Sequence, residues 1–267
     1  MLELLKKIKN WLFGESVTDF FWQDEWSQIL EDRVDFYRRL DSEKKQLFEQ
    51  HCFAFLQTTR VEVSGDVCVT DLDRLLIAAS SVIPVWGFSD WPYLSVDAVV
   101  LFPGCFNRDF QCGQSDSTIS GMVGSGAMSG KMALSKPDLI HGFSNDQDKH
   151  NVGVHEFVHI LDMADGQCDG FPEAVASGQC SHQWFELVRC KIAEIEKRKS
   201  NINDYGATNN QEFFAVASEY FFERPLMLKN KHPKLYDYLS EFYQQNRAEI
   251  ERDQLRCKVS SKKASKR

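Results

Sequence analysis

Two histidines four residues apart, in His155-Glu156-Phe157-Val158-His159, restrict this chain more than any other feature of its sequence. On an α-helix that spacing puts both imidazoles on one face, one turn apart. There their nitrogens can share a metal about 2.0–2.1 Å from each. Glu156 projects beside them and can reach a water on that metal without being a ligand itself. Val152, Val154, Val158 and Leu161 surround the pair, which predicts a helix with an apolar surface, ended near Gly166. Imidazoles on an otherwise apolar, buried helix need a reason to be there, and a shared metal is a better one than two separately satisfied core histidines. The five-residue pattern also arises by chance, so the rest of the chain must supply a third ligand.

A catalytic zinc usually keeps three protein ligands and one open position, and three acids compete for the third place. Asp165 lies six residues after His159, the spacing of a pattern that uses a glycine to turn the chain out of the helix; here that position is Asp162. Asp162 sits on the histidine face and reads better as a group that orients a ligand imidazole. Glu212, in Asn209-Asn210-Gln211-Glu212-Phe213-Phe214-Ala215, lies on a separate predicted helix. Its competing explanation is a capping box with Asn209. Glu212 is the favoured ligand, and Glu219, two turns along the same face, is placed to partner a histidine. His150 reads as a surface residue before the helix, and the aromatic run Phe213, Phe214, Tyr220, Phe221, Phe222 as core.

Three regions organise the chain. Residues 20–95 read as helical, with Trp26, Ile29, Leu30, Val34 and Tyr37 at helical spacing, caps at Asp41 or Ser42, and Thr70 or Asp71 ahead of Leu75–Ala79. Val96–Phe102 reads as a buried strand closed by Pro103-Gly104. A loop rich in Gly and Ser follows over 113–130. Lys131–Ser135 reads as a short strand, with an edge that an extended peptide could pair with. Residues 150–251 are helical again, with breaks near 166–172, 201–210 and 224–233. The expected division is a helical region at 1–95, a catalytic region at 96–251 continuous with it, and a basic disordered tail at 252–267. The fold class is α+β, mostly helical, with a small sheet beside the active-site helix.

A net charge of −8 argues against direct nucleic-acid binding, which needs a basic face. No stretch approaches the roughly 20 apolar residues of a membrane span. Met1–Phe13 mixes charge into an apolar run without a small-residue cleavage site, so it reads as a short amphipathic helix rather than a secretory leader. Eight scattered cysteines with no CxxC pair read as reduced thiols of a cytoplasmic protein.

Several longer strings sharpen this picture: His155 through Met163, Asp169-Gly170-Phe171-Pro172, Asp204-Tyr205-Gly206-Ala207-Thr208-Asn209, and Glu212 through Pro225. With Leu75–Ala79 and Phe102-Pro103-Gly104, they resemble the Mlc titration factor A family over residues 20–250. The resemblance implies a zincin-like peptidase with His155, His159 and Glu212 as zinc ligands, Glu156 as general base and Tyr205 as a catalytic tyrosine. It also implies a cytosolic protein with aminopeptidase-like activity on small peptide substrates. A further expectation is binding of the sugar-responsive repressor Mlc, with an effect on sugar-uptake genes. A protein that sequesters the repressor without catalysis is the alternative. The stretch 121–130 and the basic tail depart from the family pattern, which bears on substrate preference and partner binding rather than on the metal site.

Overall fold

The computed structural model of the chain describes residues 21–88, 96–124, 129–145, 148–173 and 181–264; the predicted amphipathic segment at 1–13 lies outside them. Helices α1 (Asp24–Arg33), α2 (Asp35–Arg38) and α3 (Ser42–Thr58) come first. As expected, Asp41 caps α3, its carboxylate accepting from the Lys44 N–H at 2.9 Å. The chain then enters strand β1 (Arg60–Val63), inside the region expected to be helical throughout. The reason is tertiary: Arg-Val-Glu-Val pairs in parallel with β2 (Ala98–Phe102), Arg60 opposite Ala98, a partner that local periodicity does not reveal. Between them runs α4 (Asp71–Val82), opened by a capping box of Thr70 and Asp73. Asp73 is fully buried and also accepts from Lys136 Nζ at 2.8 Å.

Strands β3 (Gly121–Val123) and β4 (Lys131–Ser135) complete a four-stranded sheet of order β1-β2-β4-β3. Strand β4 pairs in parallel with β2 on one side and antiparallel with β3 on the other. This corrects the expectation that Lys131–Ser135 offers an edge to a peptide, because both of its edges are already paired. The edge strands are β1 and β3, and β3 lies within a stretch expected to be loop. Three residues among Gly and Ser carry too little alternation to announce a strand; pairing with the buried β4 makes it one. Phe102, Phe106 and Phe110 stack with ring centroids 4.6–6.1 Å apart and fasten the excursion between β2 and β3 to the sheet.

The remaining elements are α5 (Lys136–Ser144), α6 (Val152–Asp162), α7 (Ser181–Glu196), α8 (Asn210–Glu223), α9 (Pro225–Lys231), α10 (Pro233–Phe242) and α11 (Arg247–Ala264). Gly166, at φ +90°, closes the 3-10 turn after α6, as expected of its position. Helix α11 continues to Ala264, through most of the tail expected to be disordered; Gln254, Leu255 and Arg256 are good helix formers whatever the charge. One apolar cluster runs from Trp26 to Ala248. It joins the two predicted regions directly: the Phe55 ring of α3 meets Phe157 of α6 edge-on at 5.6 Å. The fold is therefore mostly helical α+β. Among the described residues, no helix is long and apolar enough to cross a membrane.

The loop after α6 ties it to α8. Asp162, fully buried, accepts from the Gly170 N–H at 2.9 Å, and the Gly170 carbonyl accepts from Trp184 Nε1 at 2.6 Å. Gly170 has φ +84°, and a Cβ there would lie 2.4 Å from the Asn210 carbonyl oxygen at the start of α8. Backbone cannot yield as a flexible side chain does, so the position tolerates only glycine. Gly170→Ala is expected to destabilise the protein by at least about 2 kcal/mol, read as a fall in Tm of roughly 4–8 °C; a Tm within 1 °C of wild type would contradict this account.

Candidate metal centre

Helix α6 begins where Asn151 caps it, its side-chain oxygen accepting from the Val154 N–H at 3.1 Å. The next turns carry His155, Glu156 and His159 on a helix whose other residues, Val154, Phe157, Val158 and Leu161, enter the core. Helix α8 packs against it and starts with Asn209, whose side chain accepts from the Glu212 N–H at 2.8 Å. Asn209 thus caps the helix as half of the predicted box, but the Glu212 carboxylate faces the histidines instead.

Three ligand atoms converge. His155 Nε2 lies 3.0 Å from Glu212 Oε2 and 3.1 Å from His159 Nε2, and His159 Nε2 lies 3.4 Å from Glu212 Oε2. Donors held at 2.0–2.1 Å around one tetrahedral ion are roughly 3.3 Å apart, so these spacings fit a single small cation. Among the described residues, this is the His, Cys, Asp and Glu group that can hold a metal ion. Burial works to raise the Glu212 pKa, but hydrogen bonds from His155 and His159 outweigh it and hold the carboxyl well below its usual range. Glu212 is therefore ionised as a ligand must be.

The histidines are oriented from behind. His155 Nδ1 lies 2.8 Å from Glu219 Oε1, one per cent exposed on α8. With that nitrogen donating its proton to a carboxylate, Nε2 turns its lone pair to the site. The other Glu219 oxygen accepts from the Asn151 N–H at 2.5 Å and lies 3.3 Å from His150 Nδ1. His150, expected to be a plain surface residue, thus belongs to the same network, as does the helix cap itself. Asp162 does not orient an imidazole as predicted, because its oxygens face Gly170, and His159 Nδ1 is buried without a hydrogen-bond partner. Asp165 accepts from the Gln167 and Glu173 N–H groups and shapes the turn after the helix.

The triad opens on a cleft of about 630 Å³ with Glu156, Met122 and Gln211 on its walls. Burial raises the Glu156 pKa against the pull of both histidines, which increases its readiness to take a proton. Tyr205, in a 3-10 turn (Asp204–Ala207) capped by Asn203, has its ring 6.0 Å from that of His155. Burial and then the charges of Glu212 and Glu156 push its hydroxyl up to about 12, so it stays protonated as a donor. Gly121 of β3 was not recognised from sequence: a Cβ there would lie 2.5 Å from Glu156 Oε1 and 2.6 Å from Val152 Cγ2. No local signal marks it, since the contact joins the sheet edge to α6.

Glu219→Gln keeps the shape of the side chain but removes the charge that fixes His155. Metal affinity, measured by competition with a chromogenic chelator, is expected to fall about 10- to 100-fold, with the far-ultraviolet circular dichroism unchanged. Undiminished affinity would mean that Glu219 only fills space.

Comparison with known proteins agrees with this geometry. The profile of the glucose-regulated metallo-peptidase M90 family matches residues 9–244. An uncharacterized protein of Synechocystis sp. is 31% identical over 229 residues, covering 82% of each chain. Mlc titration factor A of Yersinia enterocolitica is 25% identical over 247 residues, covering 89% of this chain and 91% of its own. Mlc titration factor A of Serratia proteamaculans is 33% identical over 123 residues, 44% of this chain and 46% of its own. A match along nearly the whole sequence, with a two-histidine, one-carboxylate metal site at its centre, places the chain in the M90 family of metallopeptidases.

Proposed function

We propose that the chain is a zinc-dependent peptidase of aminopeptidase-like activity, with His155, His159 and Glu212 as ligands, Glu156 as general base and Tyr205 as oxyanion donor. The observation that carries this reading is the convergence of His155 Nε2, His159 Nε2 and Glu212 Oε2 beside a buried carboxylate in an open cleft. Two imidazoles and one carboxylate, with room for water and substrate, make the donor set of a catalytic zinc rather than of a closed structural one. Bound there, zinc supplies Lewis-acid polarisation and brings the pKa of water down to about 7.

The chain's own groups do the rest. Glu156 accepts the proton of the attacking water and returns it to the leaving amine, a role suited to its raised pKa. The Tyr205 hydroxyl donates to the peptide carbonyl oxygen as negative charge grows on it. The edge of β3 binds the substrate backbone by strand addition, and Gly121 permits it to lie close over Glu156. Six described cysteines without disulfides support a cytoplasmic setting. The name of the relatives supports a second role, binding of the repressor Mlc, which would link the protein to sugar-uptake genes.

Metal analysis of the purified protein, alongside hydrolysis of aminoacyl-anilides with and without chelator, tests the reading. Near-stoichiometric zinc and chelator-sensitive cleavage are expected; zinc without cleavage would favour a repressor-sequestering protein. Glu156→Gln should lower kcat by about 10²- to 10⁴-fold while keeping zinc and any Mlc binding. Gly121→Ala should displace the Glu156 carboxylate and cost about 10²-fold in kcat, again with zinc retained. Full activity in that variant would remove β3 from the mechanism.

A further inference from the structure

The cleft does not end at the metal site. It runs on past His155, Glu156 and Tyr205 into a recess of about 310 Å³, with Thr118, Ile119 and Gly121 on the walls of both. His150, Asn203 and Ser120 line the recess alone. His150 is delivered there by an uncommon backbone. Lys149, just before it, has φ +64°, a left-handed conformation that a residue with a Cβ adopts rarely and at a cost. The turn is held from several sides. Lys149 Nζ donates to the Asn201 carbonyl at 2.5 Å and lies over the Tyr220 ring, and the His150 N–H lies 3.1 Å from both Asp148 Oδ1 and Glu223 Oε2. Strain kept in place this way points to a side chain whose position matters.

Both His150 and Asn203 have one polar end taken by the protein and the other left to the recess. His150 Nδ1 lies 3.3 Å from Glu219 Oε2, while the side chain is 42% exposed and Nε2 has no partner among the described residues. Asn203 Oδ1 accepts from the Tyr205 N–H at 3.0 Å, which leaves its amide N–H groups as donors. We propose that the recess binds a carboxylate of the substrate close to the scissile bond, with His150 Nε2 and Asn203 Nδ2 as its donors. This rests on the peptidase reading above and adds what that site selects. Glu219 and Glu223 of α8, His155 of α6 and Asp148 of the same turn surround His150. The hydrogen bond with Glu219 raises the His150 pKa above its ordinary value, against burial and His155, and the charges of Glu219 and Asp148 add to the rise. Protonated, the ring carries an N–H at each nitrogen, and a charged donor makes the stronger bond to a carboxylate. Glu219 is itself bound by His155 and the Asn151 N–H, so it holds the ring in place. The carboxylate can belong to an aspartate or glutamate side chain or to the C-terminus of a short peptide.

Matched peptides separate these two sources. With the zinc-loaded protein, kcat/KM is compared for short peptides as free acids and as C-terminal amides. A second series uses longer amidated peptides with Asp or Glu against Asn or Gln at each position beside the cut. The carboxylate form is expected to be favoured about 10- to 100-fold in one of the two series. Calorimetry with Glu156→Gln, in which cleavage is arrested, should show the same form binding more tightly. The advantage should be full below the elevated His150 pKa and fade as pH rises through it. Asn203→Asp keeps the acceptor for the Tyr205 N–H but replaces the donor with a carboxylate oxygen, and should abolish or reverse the preference. His150→Ala should reduce it about 10-fold; a ratio taken within one variant cancels any general loss transmitted through Glu219. Circular dichroism and zinc content establish that each variant is intact. Equal kcat/KM for acid and neutral forms in both series, or a preference unmoved in Asn203→Asp, would overturn the carboxylate site while leaving the peptidase reading standing. No cleavage of any peptide or anilide by the wild type would overturn the peptidase reading and the carboxylate site with it.

Discussion

Helices α6 and α8 press apolar faces together with ionisable groups caught between them, and such burial is stable only if those groups satisfy one another. His155 and Glu219 are nearly inaccessible to water, at 7% and 1% exposure. Left alone, either would cost several kcal/mol in a medium of low polarity. The 2.8 Å contact between His155 Nδ1 and Glu219 meets that requirement, and the Asn151 N–H at the helix N-terminus shares the carboxylate. One residue of α8 therefore fixes the ring that faces the cleft and helps to cap the helix that carries it. A shift of α8 by a fraction of an ångström would disturb both, which is why the supports of this interface concentrate where they do.

Those supports are visible at both ends. At the C-terminal end of α6, Asp162 grips Gly170, whose carbonyl receives Trp184 and whose backbone rests on Asn210. At the N-terminal end of α8, Asn209 holds the first turn, so Glu212 is presented from backbone already anchored on two sides. The face of α8 away from α6 is filled by rings, with Trp184, Phe214, Phe242 and Tyr243 at centroid distances of 5.1–6.2 Å. Aromatic packing of this density resists the sliding of helices. Precision at the site is thus obtained from rigid elements, with the loop-borne Tyr205 as the exception.

How much of this was legible in the sequence divides along a physical line. The helix of His155 and His159, its end near Gly166 and the role of Asn209 as a cap are local, set by spacing and by side chains three or four residues away. Glu212 stood out as a candidate ligand because it is an acid on a second predicted helix, whereas Tyr205 became a candidate only through longer strings shared with a family. What escaped was non-local: β1 exists because β2 lies beside it, and β3 because β4 does. The error over Lys131–Ser135 has the same origin, since nothing within a strand tells whether one of its edges or both will be covered. Asp162 misled for a different reason. It lies on the expected face of α6, but the loop returning over it brought a backbone N–H into closer reach than an imidazole.

The charges of the site explain why a cation belongs there. Glu156, Glu212 and Glu219 bring three carboxylates into one largely buried cluster, with His155 and His159 between them. Two neutral imidazoles cannot balance them. One resolution is protonation of the imidazoles: burial opposes it, but Glu219 and Glu212 together raise the His155 pKa well above its usual range. The other is a divalent ion at the point where Nε2 of each histidine and Oε2 of Glu212 meet, which satisfies the same carboxylates while leaving both imidazoles neutral and ligating. Metal and protons compete for the same nitrogens. The acidity of the surroundings, which would be a liability in an ordinary core, favours a dication at this position, with Glu156 beside it as the proposed base.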